Sequence, residues 1–76
     1  MWVLQKEYKA VGAALAAARA RAGLSQVEVA RLLRKPQSFV SNYESGQRRI
    51  DVLELIRIVR VLDADPVKVF REIVSR

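Results

Sequence analysis

Gln37, Ser38, Ser41 and Asn42 are the residues of this chain best equipped for recognition chemistry. Their side chains are short, uncharged and dense in hydrogen-bond donors and acceptors. Carried on a helix they fall on one side, while Val40 and Tyr43, three apart, fall on the other as core anchors do. A solvent-facing helix ordinarily shows Lys, Glu and Arg instead. A side-chain amide can donate and accept at once, so this surface suits a partner with a fixed hydrogen-bond pattern, such as the base edges in a DNA major groove. The same residues also make an inert polar surface, and their types alone do not separate the two readings.

Composition narrows the chemistry further. The chain has no His and no Cys, which removes the commonest general base, the commonest metal ligand, thiolate sites and disulfides. Its 8 carboxylates stand mostly at helix starts or beside Arg, so neither catalysis nor a metal or cofactor is expected. Against them stand 14 Lys and Arg, a formal charge of +6. That balance suits a polyanionic partner, and it also serves plain solubility. No apolar run approaches the ~20 residues of a membrane span. The N-terminus lacks the basic start and long apolar stretch of a signal peptide. A cytoplasmic protein without membrane contact and without a small-molecule ligand is the expectation. With 51% hydrophobic residues in 76, the chain reads as one folded domain with a small core.

The elements that must position the polar quartet follow from periodicity and punctuation. Helix one is expected over 6–22, with Tyr8, Val11, Leu15 and Ala18 as its buried stripe and Gly23 as its stop. Ser25 and Glu28 form a capping box that opens helix two, which runs to Leu33. Val29, Ala30 and Leu33 should face inward, and Val27 and Leu32 outward. Arg34–Lys35–Pro36 make a turn, since proline bars Lys35 from helical backbone and pre-sets a helix start. Helix three spans 37–44 and ends at Gly46. Gln47–Arg48–Arg49–Ile50 is a cationic loop. Asp51 with Glu54 caps helix four, which runs to Leu62 with Val52, Leu55, Ile56, Val59 and Leu62 inward and Arg57 and Arg60 wet. Asp65 and Pro66 start helix five, whose apolar positions are Val67, Phe70, Ile73 and Val74. No strand signal and no repeat appears, so the fold class is all-α, a five-helix domain.

Two helices joined by three residues make a helix-turn-helix candidate at about 26–44. The order L-S-Q-x-E-x-A, P-Q-S-x-V-S-N-Y-E-S-G, R-R-I-D and D-P resembles the Cro/C1-type, or XRE, family of DNA-binding regulators. The resemblance covers Val11 to Phe70. In size it is similar to stand-alone members such as restriction–modification controller proteins and small phage repressors. It implies a lambda-repressor-like domain over 11–76, with 1–10 as an N-terminal extension and the start of helix one. It implies that Gln26 touches a phosphate and braces Gln37, and that Gln37, Ser38 and Asn42 face base edges with Ser41 close by. It matches Arg19 and Glu44 to an ion pair that ties helix one to helix three. The family usually has Gly where this chain has Arg34, so Arg34 must take left-handed backbone or the turn must differ. Phe39 is a second departure, at a position leaning outward, suited to a thymine methyl or to partial core cover.

The resulting expectation is a sequence-specific transcriptional regulator, a repressor or controller that binds a palindromic operator on double-stranded DNA. Gln26, Arg34, Lys35, Arg48 and Arg49 are its phosphate contacts, and Gln37, Ser38, Ser41 and Asn42 read bases. One short helix reads too few base pairs to find a genomic site, so a homodimer is expected. Its surface is assigned to Trp2, Val69, Phe70 and Ile73. The rival reading is an antitoxin or protein-interaction module that uses the same fold to hold a partner protein.

Overall fold

The computed structural model describes residues 5–76. Five helices follow one another, α1 (Gln5–Ala22), α2 (Gln26–Leu33), α3 (Gln37–Ser45), α4 (Val52–Val61) and α5 (Pro66–Ser75). No strand occurs among the described residues. Trp2, assigned to a dimer surface by sequence, lies outside them.

Each start has a local cause. The Ser25 hydroxyl accepts from the Glu28 amide at 3.0 Å while the Glu28 carboxylate accepts from the Ser25 amide at 2.8 Å. Asp51 and Glu54 repeat this reciprocal pair at α4, at 2.7 and 3.1 Å. Asp65 accepts from the Val67 amide ahead of a helix whose first residue is Pro66. Pro36 opens α3 with no side-chain cap, its ring fixing the backbone at φ −67°. Both acidic caps also set negative charge against the positive end of a helix dipole.

The stops are alike too. At four helix ends a left-handed residue returns its amide to the last turn, and the next amide reaches the carbonyl one residue further back. Two of those residues are Gly23 and Gly46, and two are Arg34 (φ 58°) and Asp63 (φ 52°). A side chain in that region costs about 1–2 kcal/mol relative to right-handed backbone. Arg34 therefore keeps the turn that Gly gives the family, because its amide and that of Lys35 both bond back, to Arg31 and Ala30.

Leu15, Ala18, Val29, Ala30, Val40, Tyr43, Ile58, Val59, Leu62 and Val69 form one buried cluster drawn from all five helices. The helix pairs that pack are α1 with α3 and α5, α2 with α3 and α4, and α4 with α5. Gly12 sets the first of these. A Cβ there would stand 2.3 Å from the Tyr43 carbonyl oxygen and 2.4 Å from that of Glu44. Backbone meets backbone where α1 crosses the end of α3, and no larger residue fits.

Two helix faces differ from the sequence reading. In α4 the inward residues are Ile58, Val59 and Leu62, with Leu55 partly covered, whereas Val52 (74% exposed) and Ile56 (40%) face out. In α5 Val69 is 2% exposed, so it belongs to the monomer's core and is removed from the dimer surface. Val67, Phe70 and Val74 are outside instead, and Ile73 is half-buried. Both helices carry apolar residues on nearly every turn face, so spacing permits two inward stripes. Packing of Val69 against the α1–α4 core chooses one.

Candidate nucleic-acid interface

α3 is the short helix that carries the polar quartet, and burial divides it cleanly. Val40 and Tyr43 are enclosed in the core, while Gln37 and Ser38 are exposed and Ser41 and Asn42 half-exposed. The side chains of Ser38, Ser41 and Asn42 make no hydrogen bond with any described residue. They stand beside Gln37 with their full donor and acceptor capacity unused.

Gln37 is different, because a relay of side chains holds it. Its Nε2 donates to Gln26 Oε1 at 3.0 Å. Gln26 Nε2 donates to Glu44 Oε1 at 2.8 Å. Glu44 in turn accepts from Arg19, at 2.7 Å from Nε and 3.1 Å from the second terminal nitrogen. Arg19 closes the chain by donating to the Leu24 carbonyl at 2.9 Å. The polarity of the relay follows from its buried end. A carboxylate only accepts, so it turns the Gln26 NH₂ toward itself and the Gln26 oxygen toward Gln37. The Gln37 NH₂ then points at Gln26, with one N–H and both lone pairs of its oxygen left for a partner. The donor and acceptor that can bind the N7 and N6 edge of adenine are thus fixed from a salt bridge at the other end of α3.

That salt bridge is sheltered, the Glu44 side chain being 7% exposed and Arg19 21%. The hydrogen bond that Arg19 donates to Glu44 raises the Arg19 pKa above its already high value, against an opposing effect of burial. The Tyr43 phenol beside it is pushed up by burial, and the Glu44 charge adds to the rise. The Tyr43 hydroxyl has no partner among the described residues.

The cations fall into two groups. Arg48 is held, donating to Glu54 through both terminal nitrogens at 3.1 and 3.0 Å and to the Arg49 carbonyl at 2.7 Å. It also lies over the Phe39 ring, 4.6 Å from the centroid, with Lys35 at 5.5 Å from the same ring. Phe39 meets Tyr43 edge-on at 5.5 Å, so it covers the core and seats two cations rather than standing free. The hydrogen bonds from Arg48 hold the Glu54 carboxyl below its ordinary value. Arg34 and Arg49, by contrast, pair with no carboxylate among the described residues, and Arg49 rests over the Tyr8 ring.

The structure therefore brings Gln26, Gln37, Glu44 and Arg19 into one network and gathers Lys35 and Arg48 about Phe39. It leaves Arg34 and Arg49 beyond the two ends of α3, Arg34 in the turn that precedes the helix and Arg49 in the loop that follows it. Sequence reading gave Glu54 only a capping role, placed Tyr8 in the buried stripe of helix one rather than beneath a cation, and passed over Gly12. Gly12 had a signal, since it lies on the same face as Tyr8, Leu15 and Arg19 in a helix otherwise made of good formers. The Arg48–Glu54 pair spans a loop and has no spacing rule to reveal it.

A family model described as helix-turn-helix matches residues 15–69. Among solved structures, the clp gene regulator ClgR of Corynebacterium glutamicum superposes with a TM-score of 0.84 at 28% identity, covering 91% of this chain and 88% of that one. An XRE-family like protein of Pseudomonas syringae superposes at 0.79 with 37% identity, covering 92% and 85%. The restriction-modification controller protein C.AhdI of Aeromonas hydrophila superposes at 0.78 with 29% identity, covering 86% and 98%. No curated protein matches the chain in sequence.

Proposed function

The chain belongs to the XRE-type helix-turn-helix family, and from that premise we propose that it is a transcriptional regulator that binds a palindromic DNA operator as a homodimer. The observation that carries the reading is the relay, which holds the Gln37 amide in one orientation beside the unpaired Ser38, Ser41 and Asn42. A helix with no recognition task has no use for that order, since fixing a long exposed side chain costs rotamer entropy.

In this reading α3 enters the major groove. Gln37 takes a base bidentately, and Ser38, Ser41 and Asn42 read its neighbours. Arg34, Lys35 and Arg49 meet phosphates on either side, and the Gln26 amide sits where the first turn of α2 meets the backbone. Arg48 contacts phosphate as a pre-oriented cation whose charge Glu54 largely offsets, so it sets register more than affinity.

The dimer surface is the outer side of α4 and α5. Ile56 and Phe70 line one groove of about 490 Å³ that also reaches Leu55 and Ala64. Phe70 (60% exposed) and Val67 (59%) flank it, with half-buried Ile73 further along α5. A patch of this kind is removed from water by a second copy, and a two-fold pair sets two α3 helices at one helical repeat.

An unbiased selection of duplexes with purified protein tests this. It should return an inverted repeat with half-site centres about 34 Å apart. Gln37→Ala should relax preference at one or two base pairs and cost ~1–3 kcal/mol there, while Arg49→Ala should weaken all duplexes alike and lower the salt slope by about one. A selection that returns no preferred duplex at moderate salt refutes the proposal.

A further inference from the structure

Away from the polar face of α3, the end of α2 and the wet side of α4 enclose a cleft of about 370 Å³ lined by Leu32, Leu33, Arg34, Arg57, Arg60 and Val61. Three guanidinium-bearing residues surround it, and none pairs with a carboxylate among the described residues. Arg57 and Arg60 lie three apart on one helix, an arrangement that repels. Arg34 reaches the cleft from left-handed backbone, where Gly would be unstrained. Like charges thus gather at a strained position with no counter-ion among the described residues. The apolar part matters equally, since Leu32 is 54% exposed beside this charge.

We propose that this cleft docks an acidic segment of another protein that carries an apolar anchor. The guanidiniums take its carboxylates, in the bidentate geometry Arg favours, and Leu32, Leu33 and Val61 take the anchor. Charge complementarity selects an anionic partner, and the apolar lining selects a peptide over a nucleic-acid backbone, which offers phosphates but no aliphatic group. The cleft shares Arg34 with the residues assigned to DNA and Arg60 with the groove assigned to the dimer, and Arg57 belongs to neither. The inference stands apart from the operator reading.

The test is fluorescence anisotropy of the full chain with a labelled amphipathic peptide of Glu and Asp bearing Leu at i and i+4. The control is the same peptide with Ser for Leu. Saturable binding of the Leu peptide is expected, with the Ser peptide clearly weaker. Arg57→Glu should weaken it by about fivefold or more. Arg57→Gln, which adds no new charge, should weaken it in the same direction. Binding of duplex DNA by these variants should change no more than about twofold, because surface charges outside the footprint act through screened distances. Absence of peptide binding, indifference to either substitution, or equal binding of the two peptides overturns the proposal. A loss of duplex affinity as large as the loss of peptide affinity also overturns it and assigns the cleft to DNA.

Discussion

The two ends of this small domain are built on opposite terms. Where α1 crosses α3, backbone touches backbone at Gly12, and the polar side chains above the crossing satisfy one another from Arg19 through Glu44 and Gln26 to Gln37. On the outer side of α4 and α5, Val52, Leu53, Ile56, Val67, Phe70 and Val74 all stand 40% or more exposed. One end is complete in a single chain, and the other leaves apolar surface in water. The first kind of construction fixes a side chain in direction, which recognition of a patterned surface needs. The second gains its free energy only when something covers it.

The contrast breaks most violently at Gly12. Gly12→Val sets carbon against two carbonyl oxygens at separations no real Cβ shows. The helices must part, at a cost of roughly 3 kcal/mol or more. For a chain of this length that is a large share of total stability, and urea denaturation should find the variant mostly unfolded. Glu44→Ala comes next. It strands the Arg19 guanidinium, which is partly covered, at about 2 kcal/mol rather than the ~3–5 of a fully enclosed pair. Glu44→Gln sharpens the point, because an amide also donates. The relay loses its fixed polarity, and the base preferred opposite Gln37 should broaden in a duplex selection even where the fold survives.

Adjacent residues on α5 separate the two modes of construction directly. Val69→Ala opens a cavity in the core and should cost about 1–2 kcal/mol at any protein concentration. Phe70→Asp should leave the melting temperature of the dilute chain nearly unchanged, yet abolish self-association in sedimentation experiments. If Phe70→Asp unfolds the chain, or if association survives it, the outer face of α5 is not the dimer surface.

What the sequence shows, and what it conceals, follows the same division. Caps are local chemistry, so Ser25 with Glu28, Asp51 with Glu54, and Asp65 with Pro66 could be read as helix starts directly. The relay was half legible: Arg19, Glu44, Gln26 and Gln37 were recognised through their places in a family pattern, not through any spacing of their own. The inward faces of α4 and α5 were legible only in part: Leu55, Val59 and Leu62 turn inward as expected, whereas Val52 and Ile56 do not and Val69 does. From Leu53 to Leu62 only Glu54, Arg57 and Arg60 interrupt an apolar run, so Ile56 and Ile58 are equally good candidates by period alone. The choice is made by contact with distant residues, and a surface destined for a partner is as apolar as a core.

A smaller effect sits inside the well-built end. Tyr43 buries its hydroxyl without a partner among the described residues, so Tyr43→Phe removes a desolvated polar group and leaves the ring contact with Phe39 in place. The expected result is a gain of up to about 1 kcal/mol, read as a higher melting temperature. A loss of stability would show that the hydroxyl has a partner.

The smallest effect compares the two ion pairs that flank α3. Arg19–Glu44 is sheltered, whereas in Arg48–Glu54 the side chains are 40% and 23% exposed. The hydrogen bonds from Arg48, and then the Asp51 amide, hold the Glu54 carboxyl below its ordinary value near 4.5. A carboxyl lowered by folding contributes stability that is fully present above about 4.5 and is lost as pH falls through its folded-state value. Glu28 is lowered too, by its bond with the Ser25 amide. An acid titration of the melting temperature should therefore be flat from neutrality down to about pH 5 and fall below it. Glu54→Gln should remove part of that fall, and added salt should shrink the Glu54 share because screening reaches exposed pairs first. If the substitution leaves the acid limb unchanged, the loop cation is not held by its carboxylate. Arg48 then stands with Arg49 as a free charge, and its removal should lower the salt slope of DNA binding as fully as that of its neighbour.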